Sequence, residues 1–126
     1  MYRLIYVSSE TAPFTDARLD ELLQKSRRAN LASGITGLLL YMDGHFMQIL
    51  EGSKAAVLAL IAKIKSDSRH RDLAVLMEGE TPNREFKEWS MGFRKLDANL
   101  ALTPAQFLAK PSKSLVLLLA FKDSRF

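Results

Sequence analysis

Two apolar runs separated by Asp43-Gly44 constrain the fold of this chain most strongly. "GITGLLLYM" (34–42) and "HFMQILEG" (45–52) each have the length of a strand, and Asp-Gly favours a tight antiparallel hairpin between them. Inside the second run, Gln48 lies among apolar neighbours. A buried primary amide needs partners for two donors and two acceptor lone pairs. We therefore ask what Gln48 is bonded to.

The residues on either side of the hairpin alternate between strand and helix patterns. Residues 2–9 are β-branched and aromatic and predict a first strand. Thr15 can cap a helix over 16–30, and Ser53 can cap a second helix that ends near Ile64. "SDSRHRD" (66–72) is expected to be a polar loop, "LAVLMEGE" (73–80) a fourth strand and "WSMGFRKL" (89–96) a fifth.

The order β-α-β-β-α-β-β indicates an α+β, ferredoxin-like fold with one additional strand. We expect one five-stranded mixed sheet with both long helices on one face and C-terminal helices on the other. Residues 1–97 would form the domain and 98–126 a helical extension. Within that extension "SLVLLLAF" (114–121) is apolar nearly all round, so it must pack on the open sheet face or on another subunit.

Composition excludes several classes of function. The 126 residues include no cysteine, which removes disulfides, thiolate metal sites and cysteine nucleophiles. The net charge is +4 but the basic residues are scattered, so we expect no nucleic-acid partner. The longest apolar run, 115–121, is far shorter than the roughly 20 residues that span a bilayer. No signal peptide is recognisable at residues 1–10, which favours a cytoplasmic location without membrane attachment.

Catalytic motifs are missing, and the two histidines have no metal-type spacing, so we do not expect an enzyme. Instead, polar residues stand where apolar ones belong. Asn30 lies on the leucine-rich face of the first helix, and Tyr6 shares a strand face with Leu4. Strands one and three are neighbours in this topology, so Tyr6 and Gln48 can meet and border a space for a flat polar ring. Each residue alone is more often an ordinary core residue with satisfied hydrogen bonds.

The motifs carrying these residues resemble those of the BLUF family of blue-light sensors that use flavin. The similarity runs from Arg3 to about Leu96 and includes "LIYVS", "ANLASGITGLLLYMDGHFMQILEG", "SDSRHRD" and "WSMGF". It implies the same β-α-β-β-α-β-β fold, with FAD, or FMN as the alternative, held noncovalently between the two long helices.

The resemblance also implies roles for individual residues. Tyr6 would be the photochemical electron and proton donor, and Gln48 the amide between Tyr6 and the flavin. Asn30 would bind the polar edge of the ring. Further cofactor contacts are implied for Ser8, Leu22, Leu23, Phe46, Asp67, Arg69 and His70, with Ile61 or Ile64, and a signal relay for Trp89 and Met91. Ala29 departs from many relatives, which carry a polar or aromatic residue there.

These expectations together describe a short stand-alone photoreceptor with a reversible, red-shifted signalling state. Its output would be read by a separate effector protein, such as a cyclic-di-GMP phosphodiesterase or a response-regulator-like protein. Self-association is expected through the apolar segment 114–121. Two alternatives remain open, a flavin-free protein–protein interaction module on the same fold and a small ferredoxin-like enzyme.

Overall fold

The computed structural model describes residues 1–86, 91–96 and 118 of the chain. Its elements follow the predicted order and are β1 (Tyr2–Glu10), α1 (Asp16–Ser33), β2 (Thr36–Met42), β3 (His45–Gly52), α2 (Lys54–Ser66), β4 (His70–Glu80) and β5 (Gly92–Leu96). No helix in this described part is long and apolar enough to cross a membrane.

The five strands form one sheet in the order β4-β1-β3-β2-β5. β1 pairs antiparallel with both β3 and β4, and β2 pairs antiparallel with β3. β5 runs parallel to β2, which makes the sheet mixed. The predicted ferredoxin-like arrangement with one additional strand is confirmed.

The hairpin between β2 and β3 has the backbone that Asp-Gly predicts. Asp43 and Gly44 both have positive φ angles, 47° and 81°, as the two central residues of a type I′ turn require. This turn pairs Met42 with His45 and carries the register through to Thr36 and Glu51. The hairpin therefore fixes which face of β3 each side chain occupies.

Both predicted helix caps are present. The side chain of Thr15 accepts a hydrogen bond from the backbone N–H of Arg18, and Ser53 accepts one from Ala56. α1 continues to Ser33, three residues beyond the predicted end. It stops where Gly34 adopts the left-handed conformation with φ 69°, which glycine accepts without a Cβ penalty.

The sheet separates two apolar clusters. On one face, both helices pack on the strands through Leu19, Leu23, Val57 and Ile61, which confirms that they share a face. On the opposite face, Leu118 is fully buried against residues of β1, β2 and β3 and against Phe86. Leu118 is helical and is the one described residue of the predicted C-terminal extension; the rest of that extension lies outside the described residues.

Two strand boundaries differ from the sequence predictions. β4 begins at His70, so the expectation that residues 70–72 belong to a loop is wrong. β1 extends to Glu10 and pairs with His70, and irregularities in the β1–β4 register accommodate the polar residues there. β5 begins at Gly92 and not at residue 89. Trp89 lies outside the described residues.

A buried carboxylate anchors the connection that follows β4. Glu51 is fully buried and accepts hydrogen bonds from the Arg3 guanidinium at 3.1 and 3.2 Å. It also accepts from the backbone N–H groups of Glu85 at 3.0 Å and Phe86 at 2.8 Å. A buried charge is tolerated when its lone pairs are satisfied in this way. Glu51 therefore holds Phe86 over the second apolar cluster.

Replacing Glu51 tests this anchor. Glu51→Ala leaves the Arg3 charge without its partner and two backbone N–H groups unsatisfied, so we expect the free energy of unfolding to fall by about 3 kcal/mol. Urea unfolding followed by circular dichroism measures this change. Glu80→Ala, at an exposed position, serves as the control and should stay within about 0.5 kcal/mol of the unmodified protein. Equal losses in the two variants would contradict the anchoring role.

Candidate functional site

The centre of the site is a tyrosine–glutamine pair on neighbouring strands. Tyr6 of β1 and Gln48 of β3 are direct partners in the antiparallel register, and their side chains lie on the face that the helices cover. The Tyr6 hydroxyl donates a hydrogen bond to the Gln48 Oε1 atom. At the other end of the amide, Nε2 donates to the Met91 Sδ atom at 3.0 Å. These two contacts answer the question of what Gln48 is bonded to.

The pair lies in the floor of a cavity of about 230 Å³ between α1 and α2. α1 contributes residues at the spacing i, i+3, i+4, i+7 and i+8, and α2 contributes residues at i, i+3 and i+4, which places each set on one helical face. The lining consists of Leu22, Lys25, Ser26, Ala29 and Asn30 from α1, Leu60, Lys63 and Ile64 from α2, Tyr6, Leu39, Gln48 and His70 from the sheet, and Asp67 and Arg69 from the α2–β4 connection.

Seven of the predicted cofactor-contacting residues line this cavity. They are Tyr6, Leu22, Asn30, Gln48, Asp67, Arg69 and His70. Of the two isoleucines proposed for α2, Ile64 lines the cavity, whereas Ile61 is buried in the core beneath it. The structure thus brings together residues that are up to 64 positions apart in sequence, between Tyr6 and His70.

Three predicted contact residues lie behind the lining. Leu23 is buried in the apolar cluster between helices and sheet. The Ser8 Oγ atom lies 3.1 Å from His70 Nδ1, and the ring centroids of Phe46 and His70 are 5.0 Å apart. Ser8 and Phe46 therefore hold the His70 imidazole in place and do not themselves line the cavity.

Sequence reasoning assigned no cofactor contact to five lining residues, Lys25, Ser26, Leu39, Leu60 and Lys63. Helical spacing from predicted residues could have found three of them, because Lys25 and Ser26 follow Leu22 by three and four positions and Leu60 precedes Ile64 by four. Leu39 lies directly opposite Gln48 in the β2–β3 register, which the hairpin turn determines.

Charges at the rim of the cavity are mostly positive. Arg69 Nη2 and Asp67 Oδ2 form an ion pair at 2.6 Å. The side-chain hydrogen bonds from Arg69 are the main reason that the pKa of Asp67 is lowered to about 2, so its carboxylate is ionised at neutral pH. Lys25 and Lys63 form no ion pair within the described residues. The rim is therefore suited to an anionic group on a ligand.

Protonation states in the floor follow from burial. Tyr6 is only 1% exposed, and desolvation raises the pKa of its phenol well above the ordinary value. The phenol consequently stays protonated and keeps donating to Gln48 at neutral pH. Desolvation also lowers the pKa of His70, which favours the neutral imidazole next to Ser8.

The buried side-chain nitrogen and oxygen atoms of the described residues all have hydrogen-bond partners. Those residues also include no group of three or more His, Cys, Asp or Glu side chains that could hold a metal ion. What the cavity offers is an apolar slot with a phenol, two amides and a cationic rim. Such a set can bind a flat, polar-edged ring and donate or rearrange hydrogen bonds toward it.

Comparison with known proteins decides which ring this is. A family model described as sensors of blue light using FAD matches residues 1–92. The chain belongs to the BLUF family. Photoactivated adenylate cyclase subunit beta of Euglena longa is 36% identical over 89 residues, which are 70% of this chain and 10% of that protein. The chain thus spans about a tenth of this curated relative.

Solved BLUF structures have the same fold. BlrB, a BLUF protein in its dark state, is 30% identical with a TM-score of 0.81, and the match covers 96% of this chain and 92% of that one. Klebsiella pneumoniae BlrP1, described with FMN and cyclic diGMP, is 33% identical with a TM-score of 0.72. That match covers 98% of this chain and 34% of BlrP1.

FAD is the cofactor of the family, and the residues of this BLUF cavity fit it. Leu22, Leu39 and Ile64 would supply apolar walls for a planar ring, while the Asn30 and Gln48 amides would supply hydrogen-bonding groups for its polar edge. The ammonium groups of Lys25 and Lys63 and the Arg69 guanidinium match the negative charge of a phosphorylated tail.

The burial of His70 predicts a pH dependence. Because its pKa is lower in the folded protein than in the unfolded chain, the unfolded state binds a proton first as the pH falls below about 6.5. The contribution of His70 to stability is therefore complete above pH 6.5 and is lost as the pH falls through the folded-state pKa. Urea unfolding at a series of pH values should show a smaller loss in His70→Gln. Identical pH dependence in both proteins would contradict this assignment.

Proposed function

We propose that this chain senses blue light through the Tyr6–Gln48 pair and signals by rearranging the hydrogen bonds of the Gln48 amide. The observation that carries the proposal is the placement of this amide. It lies in the floor of the cavity with a phenol at its oxygen end and a thioether at its nitrogen end. Photoreception by the BLUF family supplies the context, and the assignment of roles to Tyr6 and Gln48 rests on this geometry.

When bound, FAD supplies an excited state that is a strong one-electron oxidant. Tyr6 is the phenol in the cavity floor, so it is the group placed to give up an electron. Its hydroxyl proton can then move to Gln48 Oε1, the atom to which it already donates. The chain contributes position and protonation state: burial keeps Tyr6 protonated before light arrives.

The Gln48 amide suits a switch because its two ends differ chemically but hardly in shape. Rotation or tautomerisation exchanges donor for acceptor at almost no steric cost. A donor newly aimed into the cavity would shift the flavin absorption to the red, and the change would reverse in darkness. A leucine at position 48 would have no such switch, and a glutamate would place a charge in the floor.

A rearrangement of the Gln48 amide can affect the edge strand β5 through a direct contact. Gln48 Nε2 contacts Met91, which immediately precedes β5. A change at this contact can alter β5. Trp89, the other residue expected to relay the signal, lies outside the described residues. A partner that binds the two states unequally would read the difference.

The partner would be an effector protein, contacted through β5 and the C-terminal segment that contains Leu118. Relatives suggest the kinds of output: one is a photoactivated adenylate cyclase subunit, and BlrP1 is described with cyclic diGMP. The effector classes to test are the two that the family resemblance implies, cyclic-di-GMP phosphodiesterases and response-regulator-like proteins; the cyclic diGMP bound to BlrP1 supports the first. Self-association through residues 114–121 would bring two such outputs together.

The visible spectrum of the purified protein tests the proposal directly. We expect flavin bands that shift slightly to the red after a blue-light pulse and return in darkness. Flavin bands that remain unchanged or bleach irreversibly would contradict the switch while retaining the binding site. A protein that stays colourless after addition of FAD would favour a flavin-free interaction module.

Tyr6→Phe separates flavin binding from the light response. The variant keeps the aromatic ring but removes the hydroxyl, so we expect bound flavin and loss of the reversible red shift. Gln48→Leu should lose the shift as well, because no amide remains to rearrange. Tyr41→Phe is the matched control, since Tyr41 is also buried but donates to Glu10 at 2.7 Å and does not line the cavity. A normal red shift in Tyr6→Phe would contradict the mechanism.

Asn30→Ala should act on affinity and spare the photochemistry. Losing one buried amide contact with the ring is expected to raise the Kd for FAD about tenfold, equivalent to about 1.4 kcal/mol. Fluorescence titration of the flavin-free protein measures this. Leu31→Ala is the control at a neighbouring position that is 76% exposed. An unchanged Kd in Asn30→Ala would exclude the contact.

A further inference from the structure

One contact outside the cavity bears directly on the Gln48–Met91 hydrogen bond. The Nε atom of Arg27, on α1, donates to the backbone carbonyl of Met91 at 2.9 Å. Arg27 is half-buried and does not line the cavity. The side chain of the same methionine, 2% exposed, accepts from Gln48. Met91 is therefore held at its backbone by α1 and at its sulfur by β3.

The backbone contact matters because the sulfur contact is weak. A thioether is a poor hydrogen-bond acceptor, and a methionine side chain has three rotatable bonds. Such a side chain stays on the Gln48 amide only if its backbone is fixed at the right distance. The β2–β5 register begins with the pair Leu38 and Gly92, so Met91 lies just before the paired part of the strand.

A second polar contact between α1 and β5 constrains the position of Met91 much less than the Arg27 hydrogen bond does. Lys95 Nζ and Asp16 Oδ1 form an ion pair at 3.0 Å, but their side chains are 55% and 88% exposed. Exposed ion pairs of this kind contribute little because water and salt screen them. A charge-assisted bond from a half-buried guanidinium to a carbonyl is stronger. Of these two polar contacts from α1, the one from Arg27 is therefore the stronger constraint on the position of the Met91 backbone.

We infer that Arg27 is a positioning residue for the signalling switch. It fixes the Met91 backbone so that the sulfur accepts from Gln48, and it thereby stabilises the hydrogen-bonding arrangement that precedes light. This inference rests on the proposed function for its consequence in light. Its structural part, the placement of Met91 by Arg27, does not depend on flavin photochemistry.

Three variants isolate the Arg27 hydrogen bond. Arg27→Leu removes the donor, whereas Arg27→Gln keeps an N–H donor at the same number of bonds from Cα and removes the charge and the terminal amino groups. Arg28→Leu is the matched control, because Arg28 is the next residue on the helix, exposed, and loses the same charge. Arg27→Ala provides a second donor-free variant should Arg27→Leu not fold.

The first measurement needs no light. In the full chain with methyl-labelled methionine, the Met91 resonance is assigned by its loss in Met91→Leu. We expect it to move in Arg27→Leu, together with the Gln48 side-chain amide resonance, and to return close to its original position in Arg27→Gln. Arg28→Leu should leave both resonances unchanged. Unmoved resonances in Arg27→Leu, or equal changes in the leucine and glutamine variants, would overturn the inference.

The second measurement follows dark recovery of the flavin spectrum. Arg27→Leu should keep its flavin and its red shift, since the Tyr6–Gln48 pair is intact. Its recovery should slow about tenfold, equivalent to a barrier higher by about 1.4 kcal/mol, because Met91 is no longer held where the Gln48 amide must re-form its hydrogen bond during the return. Unchanged or faster recovery would overturn the role of Arg27 in the switch. If the unmodified protein itself shows no reversible shift, the proposed function fails, and the resonances alone decide whether Arg27 positions Met91.

Discussion

The antiparallel register of β1 against β3 is the constraint on which the rest of this structure depends. It pairs Tyr6 with Gln48 on the face covered by the helices and Arg3 with Glu51 on the opposite face. A slip of one residue would exchange the faces of every side chain on β3 and abolish both pairs. One ladder thus specifies the hydrogen bond at the centre of the site and the ion pair that anchors Phe86.

The two polar pairs differ in how completely their hydrogen bonds are satisfied. Glu51 is fully satisfied by Arg3 and by two backbone N–H groups, so it has no lower-energy arrangement nearby. Gln48 has one hydroxyl partner and one thioether partner, and borders a cavity. A fully bonded carboxylate favours a single side-chain arrangement at the end of β3, whereas the proposed switch requires the amide at its centre, with its unequal partners, to rearrange.

The sequence predicted what local chemistry determines. Asp43-Gly44 determined the hairpin, Thr15 and Ser53 the helix starts, and the strand order placed Tyr6 beside Gln48. The start of β4 at His70 was missed because irregular pairing with β1 overrides a polar local sequence. The contact from Arg27 to Met91 was also missed, because it joins residues 64 positions apart through a backbone carbonyl, which leaves no pattern in residue types.

The unequal partners of the Gln48 amide would give the proposed switch a direction. Exchanging the ends of the amide sacrifices a hydrogen bond to a thioether, which is weak, and turns a donor toward the phenol oxygen, which can also accept. Breaking the hydrogen bond from Gln48 Nε2 to Met91 therefore costs little free energy. The size of that cost depends on where the Met91 sulfur lies relative to the amide. A stronger acceptor at position 91 would hold the amide in place. A side chain with no acceptor would leave the amide nitrogen without a partner in a floor where Gln48 is only 6% exposed.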